Sequence, residues 1–320
     1  MIIDNDTESL CILIATKDRL DSLIKLLDSI RKSTLLPQQV VIVYAGADIS
    51  SAISEFSKIL NIQIIRSEIA SQSIQKSIGI EYIAGNFDWV LFMDDDLILQ
   101  TSTLSNLIKN YAMNPNYRGY VGFGLSISNN PTINYNLVTK FILFIFSLYS
   151  FRPGSITKSG HPQEYMDQKS DTEVEWLNGI SLWSSKVLNL YTAINVSLPY
   201  AAYEDVAFSH SVNQKARLLF AKNAVVSHQF TNKITSLSSQ QFLYGGYLRY
   251  RFVTSNNFST FWLLISQIIR NLKFISQCKS FSDMMYRLYL SGKLWFTLFS
   301  LSVKRNHGDQ IWEHNLFKLG

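Results

Sequence analysis

Three consecutive aspartates, Asp94-Asp95-Asp96, are the residues of this sequence whose type and spacing most clearly suggest chemistry. They follow the aromatic and apolar run from Phe87 to Met93, which has the composition of a buried strand. Carboxylates crowded at the end of such a strand repel one another and lose hydration, and a bound cation or ligand offsets both effects. Oxygen ligands of this kind suit Mg²⁺ or Mn²⁺, which commonly complete their coordination with substrate phosphates. Considered alone, the three residues fit an acidic, solvated turn equally well.

Polar residues with possible chemical roles also occur in the second half of the chain. Asn178-Gly179 predicts a tight turn or loop. Glu204-Asp205 stands where an apolar helical pattern begins. Acidic residues are favoured at the start of a helix by capping and by the helix dipole. A carboxylate on such a rigid element also suits a general base. His228 ends a predicted strand, a position where a histidine is more often a hydrogen-bonded surface residue than a ligand.

An alternation of strand and helix patterns must position these residues. The patterns predict strands at residues 10–15, 39–44, 62–66, 88–93, 216–220 and 224–228, and helices at about 20–33, 51–60, 73–84, from 184 and from 204. Repeated strand–helix–strand units indicate a mainly parallel sheet with helices on both faces. Ligands of such sheets bind at the carboxyl ends of the strands. Because Thr16–Arg19 and the aspartates both follow such ends, the metal interpretation gains support.

Composition and charge narrow the class of protein. The chain has 320 residues, of which 47% are hydrophobic and 17% charged, so we expect a globular protein of one large domain, or a domain with an appendage. The formal charge of +5 comes without a dense basic block interleaved with aromatics, which argues against a nucleic-acid partner. Cys11 and Cys278 share no metal-binding spacing, and no signal peptide is visible, so we expect a cytoplasmic location.

Two features suggest contact with a membrane surface. The longest apolar run, Phe141–Phe151, has eleven residues against the roughly twenty that a bilayer requires, so it predicts a buried or interfacial helix. Basic residues of the last third are interspersed with aromatic ones, which suits a membrane surface or a protein interface. An ordinary amphipathic helical bundle would give the same pattern.

In their order along the chain, these segments resemble the family 2 glycosyltransferases with the GT-A fold, which are inverting enzymes that use nucleotide-activated sugars. The resemblance covers about residues 12–230. It implies an α/β, Rossmann-like and mainly parallel sheet with flanking helices, extended by C-terminal helices. It also implies a nucleotide-sugar half at about 1–100 and an acceptor half at about 101–235, which together form a domain at 1–235, followed by a helical extension at 236–320.

The resemblance also implies roles for individual residues. Asp94, Asp96 and His228 would hold a divalent metal, Mn²⁺ or Mg²⁺, and Asp205 would be the general base, with Glu204 assisting. The remaining expected contacts to the nucleotide-sugar donor are Thr16, Asp18, Arg19, Lys76, Asp94, Asp95, Asn178 and Gly179.

Two segments depart from the family pattern. The second strand runs into Val43-Tyr44-Ala45-Gly46-Ala47 where the family usually has Asp-Asp-Gly-Ser, so the aspartate that recognises uracil is missing and only Asp48 stands near as a substitute. The segment usually written Arg-Asn-x-Gly-Ile contains Lys76-Ser77 in place of Arg-Asn, which keeps one positive charge.

The expected activity is inverting transfer of a sugar to a hydroxyl of a glycan or lipid-linked acceptor, in cell-surface polysaccharide synthesis, by an enzyme peripheral to the inner face of the plasma membrane. Two alternatives remain from the sequence. A nucleotidyltransferase also uses magnesium-bound aspartates, although Thr16–Arg19 lacks the glycine-rich loop that holds a triphosphate. An inactive sugar-binding scaffold on the same fold would retain Asp94 and Asp96 without needing Asp205.

Overall fold

The structure is a computed structural model and describes residues 8–130, 135–192, 203–229 and 239–303. The strands of this part are β1 (Leu10–Lys17), β2 (Gln39–Ala45), β3 (Ile62–Arg66), β4 (Trp89–Asp94), β5 (Leu97–Leu99), β6 (Tyr120–Ile127), β7 (Thr172–Val174), β8 (Ser181–Ser184) and β9 (Arg217–His228). The α-helices are α1 (Leu20–Arg31), α2 (Ser50–Ile53), α3 (Gln72–Ile83), α4 (Thr103–Ser105), α5 (Leu137–Ile145), α6 (Glu204–Asn213), α7 (Ser239–Ser255), α8 (Thr260–Ser276) and α9 (Phe281–Val303). A π-helical segment, Asn106–Ala112, continues α4.

The strands form one mixed sheet in the order β3-β2-β1-β4-β8-β6-β9-β5, with β7 paired to β9. The first four strands of this order are parallel, as the strand–helix alternation predicts. Beyond β4 the sheet departs from a parallel one: β8 runs antiparallel to both β4 and β6, and β5 and β7 run antiparallel to β9. The predicted α/β architecture is therefore confirmed, but the sheet is mixed: its strands from β3 to β4 are parallel, and antiparallel pairs occur beyond β4.

The two faces of β1 pack against different helices. Leu10, Ile12 and Ile14 are buried in one apolar core, which also includes the inner face of α1. The alternate residues Cys11 and Leu13 are buried in a second core on the opposite face. Because both faces of the strand are covered, its sequence is a continuous apolar run without the alternation of a half-exposed strand.

Two segments of the second half differ in detail from the sequence prediction. The helix expected from residue 184 is a 3₁₀ helix, Ser185–Leu190, which directly follows β8. The two strands predicted at 216–220 and 224–228 are a single long strand, β9, with an irregularity where its register against β6 shifts between Leu125 and Ser126. A bulge of this kind looks like a turn in the sequence, although it only bends the strand.

The C-terminal helices α7, α8 and α9 pack onto the second core. Phe242, Phe252, Leu263 and Leu294 are buried there together with residues of the central strands. The predicted helical character of the segment after residue 236 is therefore confirmed for residues 239–303, while the boundary between domain and extension stays a prediction. None of the described helices combines the length and apolar character needed to cross a membrane.

Candidate active site

Thr16, Arg19 and Asp95 connect the ends of two neighbouring strands. The register of β1 against β4 pairs Ala15 with Asp94, so the residues that follow each strand meet at one sheet edge. The hydroxyl of Thr16 donates a hydrogen bond to Asp95 Oδ2 at 2.6 Å, and Arg19 Nη1 donates to Asp95 Oδ1 at 2.8 Å. Burial raises the pKa of Asp95, and both hydrogen bonds oppose that shift. The middle aspartate thus fixes the loop after β1 against the loop after β4.

Asp96 and His228 face each other across the pairing of β5 with β9, which places Leu97 opposite His228. Asp96 Oδ1 lies 3.7 Å from His228 Nδ1, an ion-pair distance that is too long for a hydrogen bond. The pKa of His228 is raised by the adjacent Asp96 carboxylate, and His228 in turn lowers the pKa of Asp96. Within the described part of the chain, the buried Nδ1 atom of His228 has no hydrogen-bond partner.

Asp94 lies beside the loop that contains Gly179. Gln72, on the first turn of α3, donates a hydrogen bond to Asp94 Oδ1 at 2.6 Å. A Cβ atom at position 179 would lie 3.7 Å from both carboxylate oxygens of Asp94 and 3.6 Å from Lys76 Nζ. A side chain at position 179 would thus make only ordinary van der Waals contacts, so the observation shows that the loop lies beside Asp94 and Lys76 but not that it requires glycine.

The predicted metal ligands fit a divalent cation in part. Among the described residues, no group of three or more His, Cys, Asp or Glu side chains is arranged to hold an ion. Asp96 and His228 do face each other, and the Nδ1 atom of His228 lacks a partner. Carboxylate oxygen and imidazole nitrogen suit Mn²⁺, and such ions often take only one or two carboxylates from the protein. Asp96 and His228 therefore fit the ion, and Asp94 as a further ligand stays a prediction.

Lys76 and Glu204 form a buried ion pair beneath this edge. Lys76 Nζ lies 3.4 Å from Glu204 Oε1, and the two side chains are only 2% and 7% exposed. The Lys76 ammonium also lies over the ring of Phe92, 5.8 Å from its centroid. Burial disfavours its charge, but the nearby carboxylates, first of all Glu204, raise its pKa overall. The resemblance predicts that Lys76 contacts the donor. In this structure its side chain is buried and pairs with Glu204 of α6.

Asp205 lies on the first turn of α6. Tyr203, the residue before this helix, adopts a left-handed conformation (φ 66°). One Asp205 oxygen accepts a hydrogen bond from the Val206 backbone at 2.8 Å. Burial and the neighbouring Glu204 carboxylate raise the pKa of Asp205 to about 7, against the opposing effect of Lys76. The charge of Asp94 adds to this shift, and the Asp205 side chain keeps partial solvent access. A carboxyl group with a pKa near neutrality suits a general base.

Asn178 is held by the residues that surround the loop. Its backbone amide donates to the Tyr165 hydroxyl at 3.0 Å, and its carbonyl accepts from the Ser181 hydroxyl at 3.0 Å. The side-chain oxygen of Asn178 is buried without a hydrogen-bond partner. Since an unpaired buried amide oxygen is unfavourable, it is a candidate acceptor for a donor hydroxyl of a substrate.

Asp18 and Asp48 lie near the end of β2, where the usual family aspartate is missing. Asp18 adopts a left-handed conformation (φ 50°) and its Oδ1 accepts a hydrogen bond from the Ala47 amide at 3.2 Å. Asp48 accepts bonds from the amide and hydroxyl of Ser50, at 3.1 and 2.7 Å, at the start of α2. Asp18 thus contacts the loop that follows β2, while Asp48 is engaged in local hydrogen bonds with Ser50.

Sequence reasoning missed three side chains that the structure brings to the site. Gln72 holds Asp94, and Gln75 donates to the carbonyls of Thr16 and Val43, both at 2.8 Å, which fixes α3 against β1 and β2. Tyr165 lies beneath the Asn178 loop. Gln72 lies one residue before the helix predicted at 73–84; in the structure α3 begins at Gln72, which precedes Lys76 by four residues and so lies on the same face.

Comparison with known proteins agrees with this arrangement. Residues 11–161 match the family described as Glycosyl transferase family 2. No curated protein matches the chain in sequence. Solved structures with a similar fold include the mannosyltransferase PcManGT of Pyrobaculum calidifontis in complex with GDP-Man and Mn²⁺, at 11% identity and a TM-score of 0.52, with 98% of this chain and 79% of that chain covered.

Two further solved structures share the fold. GalNAc-T7, solved with UDP, GalNAc and Mn²⁺, is 13% identical with a TM-score of 0.56 over 78% of this chain and 48% of that chain. S. aureus TarS 1-349 is 12% identical with a TM-score of 0.50, with 93% of this chain and 92% of that chain covered. The chain spans less than half the length of GalNAc-T7 and of a longer TarS structure. Residues 11–161, just under half of the chain, are therefore similar to glycosyl transferase family 2, and the chain has the GT-A fold.

Proposed function

We propose that the protein transfers a sugar, with inversion, from a nucleotide-sugar donor to a hydroxyl group of an acceptor, and that Asp205 is the general base. The observation that carries this proposal is the position of Asp205: it lies on the first turn of α6, within the influence of Asp94, and has a pKa of about 7. Such a carboxylate can accept the proton of an attacking hydroxyl at neutral pH. Attack from the face opposite the departing diphosphate inverts the anomeric centre.

Residues at the strand edge receive the departing diphosphate in this proposal. Asp96 and His228 would hold a divalent cation, and this cation would neutralise the negative charge that develops on the leaving group. The Arg19 guanidinium lies 3.3 Å from Asp96 Oδ2 and is more than half exposed, so it can contact a phosphate oxygen from the solvent side. No protein acid is needed on the leaving group, in contrast to glycoside hydrolases.

The buried pair of Lys76 and Glu204 positions the base. Glu204 directly precedes Asp205, and its carboxylate is held by a lysine on α3, so the start of α6 is fixed relative to the donor half. Precise placement of reacting groups contributes several kcal/mol of catalysis, on the order of 7–11 kcal/mol in the best intramolecular systems. Lys76 and Glu204 are accordingly positioning residues in this proposal.

The donor would lie between the loop after β1 and the loop of Asn178 and Gly179. Thr16 and Asp95 fix the first loop, and Asp18 reaches the end of β2 where a nucleotide base binds in this architecture. The GDP-Man named for PcManGT and the UDP named for GalNAc-T7 support a nucleotide-sugar donor here without identifying the base.

The acceptor is proposed to be a glycan or lipid-linked glycan of cell-surface polysaccharide synthesis, at the inner face of the plasma membrane. Helix α5 has no buried residue, and its Phe141 and Phe144 are 57% and 50% exposed. Phe281, Phe296 and Phe299 of α9 are also largely exposed. Exposed aromatic side chains of this kind support binding to the interfacial region of a bilayer.

The proposed activity is tested by incubating the purified protein and Mn²⁺ with a panel of nucleotide sugars and analysing the products by mass spectrometry. Release of a nucleoside diphosphate with a glycosylated or hydrolysed product supports sugar transfer. Release of pyrophosphate would indicate nucleotidyl transfer. Binding of a nucleotide sugar without either product would indicate an inactive scaffold.

A further inference from the structure

Arg249 of α7 is a buried guanidinium that has no carboxylate partner among the described residues. Its side chain is completely inaccessible to solvent. Nη2 donates to the Ser266 hydroxyl at 3.1 Å and to Gln267 Oε1 at 3.0 Å, whereas Nε and Nη1 have no hydrogen-bond partner. In the part of the chain that the structure describes, no carboxylate pairs with it. Burial lowers the pKa of Arg249 to about 9, so it remains charged at neutral pH.

Two further cations lie near Arg249, on α8. Arg270 is partly accessible and Lys273 is exposed. Burial, followed by the positive charges of Arg249, Arg270 and Lys273, lowers the pKa of His161 to about 3. All three cations therefore act on the same imidazole, which is itself neutral. Concentrated positive charge of this kind is unfavourable unless an anion compensates it.

The cationic cluster (Arg249, Arg270 and Lys273) lies next to the proposed base. Tyr203, the residue before α6, packs its ring against Phe252 of α7 with a centroid distance of 5.8 Å. Burial raises the pKa of Tyr203, and the charges of Arg249, Arg270 and Asp205 all act on its hydroxyl. Two members of the cluster, Arg249 and Arg270, therefore lie near the same side chain as Asp205 does, at the start of the helix that holds the proposed base.

We propose that the cationic cluster binds a phosphate group of the acceptor substrate, with Arg270 and Lys273 as the contacting residues and Arg249 as the buried charge behind them. This inference rests on the proposed function and names its acceptor as a phosphate-bearing molecule. Guanidinium groups match phosphate oxygens in geometry, and three cations suit a group with more than one negative charge. Binding there places the acceptor beside Asp205 and orients its hydroxyl for deprotonation.

The test measures binding of phosphate compounds to the full chain by calorimetry, without donor, so its outcome does not depend on transfer. The probes are sn-glycerol 3-phosphate, a soluble phosphate ester, and geranyl diphosphate, which represents a lipid carrier; glucuronate is the carboxylate control. Arg270→Gln is expected to weaken phosphate binding at least about tenfold, because one charge-assisted contact is lost. The matched variant Lys279→Gln, which removes an exposed charge from the same helical region, is expected to bind as the wild type does.

Other outcomes are equally informative. Stronger binding of geranyl diphosphate than of glycerol phosphate indicates a lipid-linked acceptor, and the reverse order indicates a soluble phosphate ester; both support the site if Arg270→Gln abolishes the binding. Binding that survives in Arg270→Gln but is lost in Arg19→Gln would place the phosphate at the donor edge and overturn the inference. Equal binding of glucuronate would overturn its phosphate character.

Arg249→Met provides a second measurement that does not rely on Arg270. Because an uncompensated buried charge is replaced by an apolar side chain of similar length, the melting temperature without phosphate is expected to rise. The increase in melting temperature on adding glycerol phosphate is expected to shrink, since the supporting charge is gone. An undiminished phosphate-dependent increase in Arg249→Met would overturn the proposed role of this residue.

Discussion

Lys76 Nζ lies 3.4 Å from Glu204 Oε1, although 128 residues separate the two in the chain. Lys76 belongs to α3 of the parallel half, and Glu204 begins α6, which precedes β9 of the mixed half. The ion pair therefore connects α3, which also contacts Asp94 through Gln72, to the helix that holds the proposed base. Among the residues that the structure describes, Glu204 Oε2 has no hydrogen-bond partner, and Lys76 is the cation that pairs with the buried carboxylate.

Lys76→Met is expected to lower the free energy of unfolding by about 3–5 kcal/mol, because Glu204 is left charged and buried without a partner. Urea unfolding followed by circular dichroism measures the change. The double variant Lys76→Met/Glu204→Gln removes both charges and is expected to recover most of the loss. Lys58→Met, which breaks the exposed pair with Glu55, serves as the control and should leave stability unchanged. Equal stability of Lys76→Met and wild type would contradict the assigned role of the pair.

The rate of transfer is expected to rise with pH through about 7. Asp205 has a pKa of about 7 and acts as a base only when it is deprotonated, so protonation at lower pH removes activity. Initial rates at saturating donor, measured from about pH 5.5 to about pH 8.5, give the profile. Donor binding measured over the same range separates the base from other titrating groups. A flat profile would exclude Asp205 as the group that limits the rate.

The raised pKa of Asp205 also predicts a stability effect. At pH values between 3.8, the ordinary pKa of an aspartate, and about 7, the folded state binds the Asp205 proton more strongly than the unfolded state does. The stability contribution of the protonated carboxyl is therefore lost as pH rises through about 7. Asp205→Asn keeps a neutral side chain and is expected to show a smaller loss of stability between about pH 6 and pH 8 than the wild type. Urea unfolding at both pH values measures this difference, and identical losses would contradict the raised pKa.

Asp205→Asn is also expected to reduce transfer by roughly two to four orders of magnitude while donor binding stays nearly unchanged. The amide has the same shape as the carboxylate but cannot accept the acceptor proton. Single-turnover rates and equilibrium binding of the donor, measured on the same preparation, separate the two effects. Near-normal turnover in this variant would show that another group is the base.

The sequence predicts well that the loops after β1 and β4 meet, because local patterns determine this contact. The apolar runs that form β1 and β4 are long and buried on both faces, and the polar residues that follow them, Thr16 and Asp95, meet at one edge because the strands are parallel. The helical start at Glu204 is likewise visible as an acidic pair before an apolar pattern.

Contacts between distant segments could not be predicted in the same way. Asp96 approaches His228 only because β5, a strand of three residues, pairs with the end of β9. Nothing in the spacing of the sequence indicates that Lys76 lies against Glu204, or that Arg249 lies near His161. These contacts depend on sheet order and helix packing, which hydrophobic periodicity does not specify.

Asp96→Asn and His228→Ala are each expected to raise the Mn²⁺ concentration needed for donor binding by at least about tenfold. Metal affinity falls by about that factor even when the residue removed only supports a metal ligand. The two side chains face each other at 3.7 Å and fit a divalent cation. Calorimetric titration of Mn²⁺ in the presence of a nucleoside diphosphate measures this shift. Asp28→Asn, an aspartate paired with Lys32 on α1, is the control. Unchanged Mn²⁺ dependence in both site variants would remove these residues from the metal site.

Phe141→Ser/Phe144→Ser is expected to reduce binding to vesicles that contain anionic phosphatidylglycerol. Both rings project from a helix without buried residues, so their loss should leave the fold intact. Each phenylalanine that enters the bilayer interface contributes about 1.5–3 kcal/mol, so binding should fall by at least about tenfold. Co-sedimentation at low and high salt measures the change, with Ile59→Ser, at another exposed apolar site, as the control. A wild-type protein found wholly in the supernatant at low salt would contradict the proposed membrane contact.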